Sequence, residues 1–145
     1  MTAILNYTTK IDHWKSISEI QEKLGRAGAG RIIVDQENGI PKAVTFSLVW
    51  NDQPVFFAVP CNFKGVLSSM QKNKKVPRAQ CNEEQALRVG WRIVKDWIEA
   101  QLAIVEAEVC TLPEVFLPYA ITNMGNTVFQ MVELNKSMLA LPQGN

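Results

Sequence analysis

The apolar positions of this chain change period several times, and the changes outline its elements. Ile4 to Ile11 mixes polar and apolar residues around Tyr7, Thr8 and Thr9, which predicts a short strand. Ser16-Ile17-Ser18-Glu19 then has the form of a capping box, in which serine hydroxyl and glutamate carboxylate satisfy free amides at a helix start. Ile17, Ile20 and Leu24 share one face of the short helix it opens, and Gly25, Gly28 and Gly30 end it. From there the period shortens to two. Arg31-Ile32-Ile33-Val34 is β-branched and runs into the turn-rich Asp35-Gln36-Glu37-Asn38-Gly39. Lys42 to Trp50 alternates, with Val44, Phe46, Leu48 and Trp50 on one face and Ala43, Thr45, Ser47 and Val49 on the other. Asn51-Asp52 makes a hairpin turn into Val55-Phe56-Phe57-Ala58-Val59, which Pro60 stops. The aromatic-rich strands pair antiparallel, with helices over one face.

Cys61 to Gln80 is the least regular stretch, and within it Lys72-Asn73-Lys74-Lys75-Val76-Pro77-Arg78, with four cations and no acid, reads as an exposed, mobile loop. The strongest periodic signal follows, a helix from about Glu83 to Val109 behind the N-cap Asn82. Leu87, Trp91, Val94, Ile98, Leu102, Val105 and Val109 form its apolar stripe. A second set, Ile93, Trp97, Ala100 and Ile104, implies burial on two sides, by the C-terminal segment or another subunit. Thr111-Leu112-Pro113-Glu114 is a further capping box, opening a short helix near Glu114 to Ala120, and Val128-Phe129 starts a strand or helix. The expectation is an α+β fold in the order β-α-β-β-β-α. An antiparallel sheet of three or four strands carries a short helix and a long C-terminal helix. A single domain spans residues 1–132, with a poorly ordered tail over 133–145.

With 145 residues the chain suffices for one domain with its own core. Fifteen basic side chains oppose fourteen acidic ones, which excludes a strongly basic coat protein or an acidic mimic but not a local patch. Cys61, Cys81 and Cys110 are odd in number and widely spaced, as in a reduced protein, and a zinc site would have to gather all three with His13. Neither a signal peptide nor an apolar run of membrane-spanning length is visible, so the reading is a soluble cytoplasmic protein without a membrane partner.

Chemistry is sparse. The chain has no Gly-Lys dipeptide and hence no phosphate loop, and Gly25-Arg26-Ala27-Gly28-Ala29-Gly30 follows a helix, the reverse of the dinucleotide-binding order. A helix cap explains it better. His13, between Asp12 and Trp14, reads as a partly exposed capping residue rather than a base. No catalytic residue, cofactor or metal is assigned. One cluster stands out: Arg88, Arg92 and Lys95 recur at helical spacing on the long helix, and Lys72, Lys74, Lys75 and Arg78 approach that helix from the preceding loop. These seven cations are the candidate nucleic-acid or phosphate site. The competing account is a solvated helix face paired with Glu84, Asp96 and Glu99.

Taken together, Trp91-Arg92, Glu99-Ala100-Gln101-Leu102, Val105-Glu106-Ala107, Glu114-Val115-Phe116-Leu117 and Gly125-Asn126-Thr127-Val128 resemble a family of small proteins of unknown function encoded by tailed phages and prophages. Tyr7-Thr8-Thr9-Lys10-Ile11, Leu24-Gly25-Arg26-Ala27-Gly28-Ala29, Ala43-Val44-Thr45-Phe46 and Val59-Pro60 extend the resemblance over residues 4–130. Its motifs are packing and turn residues. Glu108-Val109-Cys110 departs from it, standing where a glycine is expected to close the long helix. The resemblance implies a bacterial host cell and a non-enzymatic binding protein that modulates host defence or DNA metabolism. Its ligand would be nucleic acid, a nucleotide signal or a host defence protein. The alternative is a structural accessory whose long helix is the interface of a homo-oligomer, most simply a dimer. A small hydrolase or deaminase is the weakest reading.

Overall fold

The computed structural model describes residues 6–140, and its elements follow from a few local decisions. Helix α1 spans His13–Arg26 and starts three residues before the predicted capping box, because Asp12 is the cap and its carboxylate accepts the Trp14 N–H at 3.1 Å. Ser16 is thereby inside the helix and buried. The helix ends as the glycines predict. Gly28 sits at φ +103°, Ala29 N–H donates to Leu24 O and Gly28 N–H to Gly25 O, the paired bonds of a glycine C-cap.

Strands β1 (Ile32–Glu37), β2 (Ile40–Trp50) and β3 (Gln53–Pro60) form an antiparallel meander in sequence order. Both connections are two-residue turns with positive φ at each position, Asn38-Gly39 and Asn51-Asp52, the geometry that matches strand twist. Val44, Phe46, Leu48, Phe57 and Val59 are buried on the inner face. Trp50 departs from its expected place there. It ends β2 at the mouth of the second turn, paired with Gln53, and is 40% exposed. Asp35 pairs with Ala43 but Gln36 pairs with Pro41, so Lys42 is an extra residue in β2. This bulge reverses side-chain parity and brings Pro41 inward, where its carbonyl accepts the indole N–H of buried Trp91 at 3.2 Å.

Two parts of the expected order are not found. No strand forms among residues 6–12, which begin with a turn; the expected strand's first residues, Ile4 and Leu5, lie outside the described residues. Nor is Cys61 to Gln80 irregular throughout, because helix α2 occupies Phe63–Lys72, capped by Asn62 accepting the Gly65 N–H. The order among described residues is α-β-β-β followed by helices, and the long helix is not the C-terminal one.

Helix α3 (Glu83–Glu106) is the spine beneath the sheet. Leu87, Trp91 and Ile98 face the strands, α1 packs on one flank and α2 on the other. The α2 flank is close: a Cβ added to Gly90 would stand 2.9 Å from Cys61 Sγ. Met70, Val76, Ala86 and Val89 form a second small core there, with Ile93 packed against it. The helix stops at Glu106, leaving Val109 outside it and 72% exposed. Its closing residue is Glu108, at φ +61°, with Val109 N–H to Ile104 O and Glu108 N–H to Val105 O. The left-handed position thus falls within the stretch where the resemblance expects glycine.

Helix α4 is Leu112–Phe116 with the Thr111/Glu114 capping box in place, and Leu117–Tyr119 continues as a 3₁₀ turn. Phe116 is fully buried, edge-on to Phe46 and to Trp97, and Tyr119 also meets Trp97. The C-terminal segment therefore covers Trp97 from the second apolar set, while Ile104 stays 37% exposed. Ile121 N–H donates to Phe56 O at 2.8 Å, closing the β3 edge. Val128 begins a helix, α5 (Val128–Leu134), and a 3₁₀ turn at Lys136–Met138 follows it.

Candidate nucleic-acid interface

The seven cations of the candidate site fall into two groups, set by the helical rotation of α3. With the sheet-facing line through Leu87, Trp91 and Ile98, positions 88, 92 and 95 lie roughly 60–120° to one side, and 86, 89 and 93 lie roughly 120–180° around the other way. The first side meets α1. The second meets α2 and the loop after it. One groove lined by all seven is therefore not formed.

On the α1 side every cation has a carboxylate. Arg88 pairs with Glu84 one turn before it, and its other nitrogen donates to Gln85 Oε1 at 3.0 Å. Lys95 Nζ lies 2.7 Å from Glu99 Oε2 and 3.4 Å from Asp96 Oδ1. The hydrogen bond to Glu99 raises the Lys95 pKa, and the same bond, helped by Lys23, holds Glu99 below its ordinary value. These are the partners the competing sequence account names. Arg92 is different. Its side chain is only 10% exposed, Nη1 donates to Glu19 Oε2 at 3.0 Å, and Nε and Nη2 are buried without a partner among the described residues. Glu19, on α1, was not legible as this partner because nothing in the sequence sets which helix faces α3. A hollow of about 550 Å³ lies farther along this seam, lined by Lys23, Arg26, Leu102, Ala103, Glu106 and Leu112 among others, and Glu99 on its wall offsets Lys23.

On the α2 side the picture is reversed. Lys72 ends α2, Lys74 and Lys75 follow, and Arg78 opens a 3₁₀ turn (Arg78–Gln80); all four are exposed and none has an ion pair among the described residues. The loop that carries them is anchored by two of its own residues, Asn73 and Val76. Buried Asn73 accepts the Lys75 N–H on its side chain at 2.9 Å and the Val76 N–H on its carbonyl at 3.1 Å. Val76 is buried in the second core, and Pro77 fixes the backbone before Arg78. Between these anchors is a cleft of about 340 Å³ lined by Gln71, Asn73, Lys74, Val76, Arg78 and Cys81. Asn73 is what sequence reading missed. Its signal is an Asn in the last turn of a helix, able to cap and to form an Asx turn.

His13 is the first residue of α1, its ring 5.2 Å from that of Trp14, and burial lowers its pKa despite Asp12 at 3.6 Å. Burial likewise pushes the Cys61 thiol up to about 12. Among the described residues, no cluster of three or more His, Cys, Asp or Glu side chains is placed to hold a metal ion, and no helix is long and apolar enough to cross a membrane. No family model, curated protein or solved structure matches the chain.

Proposed function

We propose that the protein is a non-enzymatic binding protein for a polyanion, nucleic acid first, and that the contact surface is Lys72, Lys74, Lys75 and Arg78 rather than all seven cations. The phage or prophage setting implied by the resemblance suits such a role, with host DNA metabolism or a nucleotide-based defence as its target. One observation carries the reading. Four exposed cations sit on an anchored loop without acidic partners among the described residues, whereas the helix cations are neutralised by their neighbours. Exposed charges on a held backbone lose little conformational freedom when they meet phosphates.

The test is the salt dependence of binding to duplex DNA, single-stranded DNA and RNA. Each phosphate contact adds about 0.9 to the slope on duplex DNA. Replacing Lys72, Lys74, Lys75 and Arg78 by alanine flattens the slope, whereas replacing Arg88 by alanine leaves it unchanged. No affinity for any of the three polymers at low salt, or equal loss in both variants, sinks the proposal. A structural accessory acting through the long helix is the second reading, favoured by exposed Ile104 and by Val109 just beyond the helix. Ile104→Glu then lowers the solution mass.

A further inference from the structure

The two edges of the sheet are treated differently. At β3 the chain returns to cover the edge through the Phe57–Ala120 bridge and the Ile121 N–H. At β1 no strand pairs with the outer edge among the described residues. Open edges in natural proteins are commonly blunted by lysine, proline or inward charge. The run Arg31-Ile32-Ile33-Val34-Asp35 has no lysine or proline, and Ile33 at its centre is 44% exposed.

Hydrogen-bond parity defines what this edge offers. Ser47 N–H donates to Arg31 O at 2.9 Å, so residues 31, 33 and 35 turn their amides toward β2 and residues 32, 34 and 36 turn theirs outward. Arg31, Ile33 and Asp35 lie on the outer face of the sheet, and Ile32 and Val34 pack into the core. A strand that satisfies the edge must present outward amides at alternate positions, an apolar residue opposite Ile33, an anion opposite Arg31 and a cation opposite Asp35. The segment meets these demands itself. In an antiparallel pairing with its own copy about a two-fold axis at Ile33, Ile32 and Val34 exchange backbone hydrogen bonds. Ile33 meets Ile33, and Arg31 meets Asp35 on both sides of the axis. Among the described residues Arg31 has no ion pair within its own chain, and the one hydrogen bond to the Asp35 side chain comes from the Thr45 hydroxyl at 2.8 Å.

We infer that two copies of this chain associate through their β1 edges into a continuous six-stranded antiparallel sheet, fixed in register by reciprocal Arg31–Asp35 pairs. This interface lies on the sheet, not on the long helix, and does not depend on the polyanion reading. Closed two-fold pairing also removes the open edge, which would otherwise propagate.

Sedimentation velocity across a concentration series tests it, with Arg31→Asp, Asp35→Arg and the double reversal compared. Each single reversal sets like charges opposite each other twice and weakens dimerisation about tenfold or more, while the double reversal restores it. Ile33→Cys gives the independent readout. A non-hydrogen-bonded antiparallel pair holds its Cα atoms about 4.5 Å apart, within disulfide range, so oxidation links two copies covalently where the parent protein stays unlinked. Ile104→Glu remains dimeric. A monomeric parent at the highest concentration, a dimer indifferent to both single reversals, or a dimer that Ile33→Cys fails to link overturns the inference.

Discussion

On the flank of α3 that faces α1, Arg88, Arg92 and Lys95 each meet a carboxylate; on the flank that faces α2, Lys72, Lys74, Lys75 and Arg78 meet none among the described residues. In sequence the two sets are alike, short runs of cations near a helix. What separates them is the neighbour. α1 brings Glu19 and Lys23 into a seam where opposite charges alternate, and α2 with the loop after it brings Met70 and Val76 into a small apolar core whose rim is left basic. Charge density along a chain is therefore a poor guide to a binding surface until the packing partner of each helix face is known.

The comparison breaks first if the shared spine fails. Trp91→Ala removes a fully buried indole that contacts the sheet and bonds Pro41, so a loss of roughly 3–5 kcal/mol is expected in urea unfolding. A loss under about 1 kcal/mol would mean that α3 is not the element holding both flanks.

The seam itself is probed by an asymmetry. Glu19→Ala leaves the buried Arg92 guanidinium without its carboxylate and costs roughly 2–3 kcal/mol. Arg92→Met frees a half-buried Glu19 to find water and discards two unsatisfied nitrogens, so it costs under about 1 kcal/mol. Equal costs from chemical unfolding would refute the claim that Arg92 is the more strongly desolvated partner.

Acid acts on the α1 flank through Glu99. Glu99 is held below its ordinary value of 4.5 by the Lys95 hydrogen bond, so its contribution is complete above the unfolded value and is lost as pH falls through the folded one. Lys95, shifted upward, stays charged throughout and adds no slope there. Thermal melts of the parent protein accordingly fall more steeply below pH 4.5 than those of Glu99→Gln, and parallel curves would remove Glu99 from the seam.

The smallest expected effect sharpens the contrast most. Alanine at Lys72, Lys74, Lys75 and Arg78 together changes stability by under about 0.5 kcal/mol, because exposed charges without partners have no pair to lose. A melt lowered as much as by Glu19→Ala would show that the loop cations are structural.

Much of this fold is readable from local chemistry. Asn-Gly and Asn-Asp set the two hairpins, Gly28 caps α1, and the stripe of Leu87, Trp91 and Ile98 orients α3 on the sheet. The failures have specific causes. Asp12 outcompetes Ser16 as a cap because it lies at the start of the helical run, and α2 was missed although Phe63, Val66, Leu67 and Met70 recur at helical spacing, because so short a helix repeats that pattern for barely two turns. Of the candidate site, the Lys95 and Arg88 partners one turn away could be read from spacing. The Arg92–Glu19 pair could not, since it joins residues 73 apart through the docking of two helices. For the same reason one cluster of seven in the sequence became two.

The contact between Gly90 and Cys61 has a kinetic consequence. With its thiol 4% exposed and its pKa pushed to about 12, Cys61 carries almost no thiolate at mildly alkaline pH and is closed to reagents from outside. Alkylation must wait for α3 to lift from the junction of β3 and α2, so its rate counts those openings one molecule at a time. Cys81 and Cys110, both partly exposed, react without waiting and supply the unprotected reference in the same sample. The ratio of slow to fast labelling then gives the free energy of that local opening under native conditions, a quantity that bulk melting curves average away.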